Sequence, residues 1–183
     1  MFAWTCRRLA IAIIVSASST IATPTGMWVD VPFVRQPHEG CGAASVAMVM
    51  QYWVAHGSRL DPERADVSVI QRLLYSPKDH GITTSAIERY FQESGFRTFV
   101  FEGQWSDLHE QLARGRPLIV CLRESRRGPL HYVVVDGLDE RESLTLMNDP
   151  AQRKLLKVRR ADFEKGWRAS GFWTLLAIPQ TVP

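Results

Sequence analysis

Cysteine is scarce in this chain: Cys6, Cys41 and Cys121 are all that 183 residues contain. Three cysteines this far apart build neither a disulfide framework nor a structural zinc site. His56, His80 and His109 do not fall at ligand spacing with one another or with a cysteine, so no metal is implied. A phosphate-cradling loop of the GxxxxGKS/T kind is absent, and no cofactor is implied either. Repeats, low-complexity tracts and long linkers are also missing, so residues 27–180 read as one domain. No apolar run reaches the roughly 20 residues that span a bilayer. Charge of one sign is weak, at a formal +3. Lys154, Lys157, Arg159 and Arg160 cluster but alternate with apolar residues, as a solvated strand face does. That pattern does not point to nucleic acid. What the chain does have is hydrophobic bulk. Six Trp, eight Phe and four Tyr within a 45% hydrophobic composition exclude wholesale disorder and suit a single core.

The N-terminus has the order of an export signal. Arg7 and Arg8 form a positive start, Leu9 to Val15 a short apolar run, and Thr20-Ile21-Ala22 a small-residue cleavage site. Residues 1–22 are therefore expected to be a signal peptide that directs a bacterial protein to the periplasm or the medium. Retention as an N-terminal anchor is the competing reading. The segment holds two Arg and no acid, so its removal lowers the net charge from +3 to +1. No membrane span remains in such a mature chain.

After an extended start, Trp28 to Gln36, a PHEG turn leads into Cys41. From Ala43 to Val54 the chain is almost continuously apolar and ends at Gly57, which predicts a buried central helix beginning at the cysteine. Asp61-Pro62 predicts a helix start that runs on through SVIQRLLY. Ser85 with Glu88 predicts a capping box, and Ser106 opens a short helix that ends at Gly115. Then the pattern changes. Residues 117–122, 131–137, 143–148, 154–158 and 173–178 read as strands between charged turns. Helices first and strands later predict an α+β domain with a mainly antiparallel sheet.

Chemistry concentrates at three positions. Cys41 lies where a helix begins, between Gly40 and Gly42. The partial positive charge and free N–H groups of a helix start stabilise a thiolate, although a buried structural cysteine looks much the same in sequence. His131 opens a strand after a loop with Arg126, Arg127, Gly128 and Pro129, a position from which it can serve a distant cysteine as base and then acid. Asp149 ends the following strand, and an antiparallel pair would bring it beside His131. By itself Asp149-Pro150 is an ordinary turn signal. Cys121, inside the apolar PLIVCL, reads as core, because pairing it with Cys41 would consume the nucleophile. Trp105, Trp167 and Trp173 read as core or sheet-face residues, with Trp167 also a candidate cleft wall.

With those residues set out, the chain resembles the papain-like cysteine peptidases of the bacteriocin-processing, double-glycine leader family and its stand-alone relatives. The pieces that carry the likeness are VPFVRQ, CGAASVAMVM, GITTSAIERYFQESGF, LARGRPLIVCL, HYVVVDG and NDPAQRKLLKVRRADFEKGW, in family order across residues 28–178. The resemblance implies Cys41 as nucleophile, His131 as general base and acid, and Asp149 as the residue that orients His131. It implies an oxyanion-hole glutamine as well. Gln36 is the match, five residues before Cys41 where the family pattern usually has six. His38 is nearer, but reads as a solvated turn residue. Family members that cut leaders are usually joined to an exporting ATPase, whereas this chain has an export signal and no phosphate loop. The expected function is thus an exported peptidase acting on a peptide or protein, with a secretion or peptide-export system as its possible context. A catalytically quiet peptide-binding module and a phytochelatin synthase-like transpeptidase stay open as alternatives. Cell-wall amidases of the Cys/His type are further off, since they usually lack an acid placed like Asp149.

Overall fold

The apolar stretch that follows the PHEG turn folds as helix α1, Cys41–Ala55, in the computed structural model, which describes residues 26–123 and 128–180. The proposed signal segment 1–22 and the arginines at 126 and 127 lie outside the described residues. Ten α1 residues are buried, because the helix is covered on both sides. One side meets the sheet. The other meets a 3-10 turn at Pro62–Ala65 and helices α2, Val67–Leu74, and α3, Thr84–Glu93. Two side chains pin its far end: Tyr52 Oη donates to Gly115 O at 2.7 Å, and Trp53 Nε1 donates to Ala177 O at 3.1 Å.

The strands are β1 (Gly26–Trp28), β2 (Phe96–Glu102), β3 (Leu118–Leu122), β4 (His131–Asp139), β5 (Leu144–Asn148), β6 (Leu156–Arg159) and β7 (Trp173–Pro179). They form one antiparallel sheet in the order β2-β7-β3-β4-β5-β6, with β1 paired to β4. Helices α4, Trp105–Ala113, and α5, Arg160–Ala169, cover the opposite face from α1 and enclose a second core around Phe163 and Trp167. Two faces covered by helices explain why β3, β4 and β7 read as continuous apolar runs rather than as alternating ones. The α+β expectation therefore holds. Among the described residues, no helix is long and apolar enough to cross a membrane.

The elements depart from the sequence expectation in particular places. The single helix expected from Asp61 is two pieces. Asp61 Oδ1 caps the 3-10 turn through Glu63 N–H, and Asp66 Oδ1 starts α2 by accepting from Ser68 and Val69 N–H. A second cap inside the pattern breaks it. The Ser85–Glu88 capping box does not form, because Thr83 Oγ1 caps α3 by accepting from Ala86 N–H at 3.3 Å. Glu88 instead accepts from Gln92 and Thr98. Helix α4 begins at Trp105 rather than Ser106, with Asp107 Oδ2 accepting from Gln104 N–H at 2.7 Å. The helices-then-strands order also leaves no place for β2 or α5. FRTFVFE follows directly on Gly95, which stops α3 at φ 84°, as an edge strand of β-forming residues. RADFEKGWRA offers only Phe163 and Trp167 as buried anchors, too few to stand out as a helical stripe.

Basic residues 154–160 behave as a solvated face. Lys154 pairs with Asp30, Arg159 with Asp162 and Arg160 with Glu164. Cys121 is buried and, like Cys41, a free thiol. Trp167 is almost wholly buried and donates through Nε1 to Trp173 O at 3.3 Å.

Candidate active site

Cys41 is the first residue of α1, and Gly40 makes its placement there possible. Gly40 N–H closes the turn onto Pro37 O at 3.0 Å, and a Cβ on Gly40 would lie 2.5 Å from Pro37 Cγ. The turn is held from outside as well. Gln71 Nε2 donates to His38 O at 3.2 Å, Tyr75 Oη donates to Glu39, and His80 faces the same carboxylate. Glu39 sits at φ 51°, a left-handed conformation that this set of contacts maintains. The first turn of α1 carries no acid of its own against the positive end of the helix at the thiol.

Antiparallel pairing of β4 with β5 sets Val134 opposite Asn148, so the start of β4 lies beside the residues that follow β5. His131 Nε2 accordingly meets Asp149 Oδ1 at 2.9 Å. The other face of the imidazole is occupied by Cys41, whose thiol is hydrogen-bonded to the His131 side chain. With Nε2 turned to Asp149, Nδ1 is the ring nitrogen left for the sulfur. Cys41 is half-buried, His131 is about one-third exposed and Asp149 is 2% exposed, so the first two residues keep an opening to solvent while the acid has almost none.

The electrostatics follow from this geometry. Burial pushes the Cys41 thiol up, but the hydrogen bond from His131, the N–H groups of Tyr132 and Gly42 and the imidazolium charge outweigh it and lower the pKa. Burial would lower the His131 pKa, yet Asp149 and the Cys41 thiolate carry it up to about 9. Burial raises Asp149, and His131, Ala151 N–H and Gln152 together hold it below the usual value. Each member of the run thus favours the charged form of the next. Such an arrangement can hold a thiolate–imidazolium pair at neutral pH. The buried Cys121, in contrast, is pushed up to about 12 by burial and by the charge of Cys41.

Gln36 lies on the extended segment that runs past the same turn, and its N–H donates to Pro150 O at 3.0 Å. Its Oε1 is buried and makes no hydrogen bond among the described residues. His38 is exposed, on the outside of the turn. The site also contains a residue that the sequence pattern does not single out. Gln152 Nε2 donates to Asp149 Oδ2 at 2.6 Å, across a tight turn that only its position three residues after the acid hints at. Among the described residues, no three His, Cys, Asp or Glu side chains converge as a metal ion would require. A hollow of about 540 Å³ lies elsewhere, lined by Trp105, Arg160, Trp167, Arg168 and Phe172 among others, and none of the three site residues lines it.

The fold has solved counterparts. The peptidase domain of Streptococcus ComA, a bifunctional ABC transporter, is similar at 22% identity with a TM-score of 0.64, covering 82% of this chain and all of that one. A double glycine motif protease from an AMS/PCAT transporter, solved with its leader peptide, is similar at 20% identity and a TM-score of 0.64, covering 84% of this chain and 94% of that one. A C39-like peptidase from Bacillus anthracis reaches 18% identity and a TM-score of 0.61, over 86% of this chain and 99% of that one. No curated protein matches the chain. The profile of the Peptidase_C39 like family matches residues 28–174, which include Gln36, Cys41, His131 and Asp149. The chain belongs to the Peptidase_C39 like family, with the papain-like α+β fold of its cysteine peptidases.

Proposed function

We propose that this protein is an exported thiol peptidase in which Cys41 attacks a peptide carbonyl, His131 moves the protons and Asp149 orients His131. The observation that carries the reading is the hydrogen-bonded run from the thiol through the imidazole to a buried carboxylate. The Cys41 thiolate forms a bond to the carbonyl carbon, and the carbonyl electron pair moves onto oxygen. The oxyanion is received by the Cys41 N–H, which α1 leaves unused, and by the Gln36 side-chain amide. His131 then gives its Nδ1 proton to the amine nitrogen as the C–N bond breaks. Water, deprotonated by the same nitrogen, hydrolyses the thioester and returns the thiolate. The protonated imidazole and the lowered thiol pKa support this division of roles.

Export rests on the order of charge, apolar run and small residues in 1–22. N-terminal sequencing of protein recovered from the bacterial periplasm or medium tests it, with a new terminus after Ala22 expected.

The test of the chemistry is alkylation of the purified protein by iodoacetamide at pH 6–7, with mapping of the adduct. Cys41 is expected to react well ahead of the unfolded thiol, and Cys41→Ala to abolish peptide cleavage. A Cys41 that reacts no faster than an unfolded thiol defeats the reading. A Cys41→Ala variant that keeps full biological effect favours the quiet binding module instead.

A further inference from the structure

Asp149 is 2% exposed, so its carboxylate must find its hydrogen-bond donors within the protein. Oδ1 has two, His131 Nε2 at 2.9 Å and Ala151 N–H at 2.9 Å. Oδ2 receives Gln152 Nε2 at 2.6 Å. Gln152 is itself held in place: its N–H donates to Asp149 O at 3.0 Å, and its carbonyl accepts from Arg35 Nη2 at 3.2 Å. Arg35 directly precedes Gln36, whose N–H donates to Pro150 O. Residues 35–36 and 150–152 are therefore laced together through both backbone and side chain.

We propose that Gln152 is a positioning residue for the Cys41–His131 pair, with Arg35 as its anchor. The proposal rests on the thiol-peptidase reading above. Rotation of the Asp149 carboxylate would take Oδ1 away from His131. Donors on both oxygens prevent that rotation, and the Gln152 amide also keeps the buried group ionised, since a carboxylate with an unpaired buried oxygen gains affinity for a proton. Asp149 in turn fixes the ring of His131 and stabilises its charge, which holds the sulfur as thiolate. Through Arg35 the same turn also fixes the segment that bears Gln36. Gln152 is exposed, so replacing it removes a hydrogen bond without opening the core.

The experiment compares the wild-type protein with Gln152→Ala and Gln152→Glu, following Cys41 alkylation by iodoacetamide from pH 4 to pH 9, with circular dichroism as the control for folding. Gln152→Ala is expected to slow alkylation at pH 6 by about tenfold, the scale of one charge-assisted hydrogen bond, and to move the acid limb to higher pH. Gln152→Glu is expected to be slow at pH 8 and to recover relative to wild type as the pH falls, because the new carboxyl donates the same bond once protonated. A role confined to stability moves neither limb. Folded variants with wild-type rates and wild-type pH dependence overturn the proposal and leave the peptidase reading standing. A wild-type Cys41 that reacts no faster than an unfolded thiol overturns both.

Discussion

His131 keeps its charge in a position where burial opposes it. Desolvation alone would lower its pKa, and the hydrogen bonds to Asp149 and Cys41 raise it to about 9 instead. In the thiol mechanism the protonated imidazole delivers the proton to the leaving amine, so cleavage is expected to fall on the alkaline side as pH rises through about 9. A pH profile of kcat/KM reads that limb directly. Asp149→Asn removes the charge that raises His131 and should move the limb toward neutrality while lowering kcat; an unmoved limb would leave the pairing without a catalytic role. Gln36 makes a separate prediction. Loss of one oxyanion donor typically costs about 100-fold or more in kcat, so Gln36→Ala should lower kcat on that scale with KM little changed. Wild-type kcat in that variant would exclude the side chain from the oxyanion site.

Strand β4 is the element that joins the site to the rest of the sheet. Its first residue is His131, and its pairing with β5 shifts register between Val135 and Gly137. At that irregularity β1 comes in close: a Cβ on Gly137 would lie 2.7 Å from Met27 O and 3.3 Å from both Leu146 Cβ and Trp28 Cα. The contact is largely with backbone, which cannot rotate away. Gly137→Ala is therefore expected to lose about 1–3 kcal/mol of stability in urea unfolding, the range of an overpacked interior site. Because the clash lies past the bulge from His131, Cys41 alkylation should change little in the fraction that stays folded. Equal stability would show that β1 moves aside without cost. The helix starts obey the same local logic. Asp61, Thr83 and Asp66 each place a side-chain oxygen on N–H groups two or three residues ahead. Thr83 and Ser85 lie two residues apart with like chemistry, so local sequence does not choose between them, and the packing of Ile82 and Ile87 into the α1 core does.

At the scale of the molecule, a buried carboxyl group stands apart from the site. Asp136 is fully buried on β4, and neither carboxylate oxygen has a hydrogen-bond partner among the described residues. Burial raises its pKa to about 7, against weaker opposition from its own backbone and from Lys154, while Asp30 adds to the rise. Its carbonyl meanwhile accepts Val29 N–H at 2.7 Å, under the segment that Lys154 ties down through Asp30 at 2.6 Å. A folded-state pKa above the unfolded one means that the native protein holds the extra proton between about pH 4 and pH 7. From this group, stability is therefore greatest at low pH and is lost as pH rises through about 7. Urea unfolding at pH 5 and pH 8 should show this loss in the wild type and a flatter dependence in Asp136→Asn. Parallel curves for the two proteins would place the charge elsewhere.

Candidates for the site could be named from the chain, because Cys41 between two glycines at a helix start and His131 at a strand start are local patterns of charge and backbone freedom, and the family resemblance set them in order with Asp149. So could the central helix and five strands, of which β3, β4 and β7 read as apolar runs because both of their faces are covered. Edge strand β2 and helix α5 were hidden, one by following directly on a helix stop and the other by its thin apolar face. Strand order led to the expectation that Asp149 lies beside His131, 18 residues away, and the register of β4 against β5 in the tertiary structure makes it a contact of 2.9 Å. Only the tertiary structure reveals Gln152 on Oδ2 and Arg35 behind Gln152, because a donor three residues past an acid looks like any turn until the acid is buried. Sequence supplies reactive groups and local backbone preferences. Register and burial decide which groups meet, and the loss of water around them decides which charges they keep.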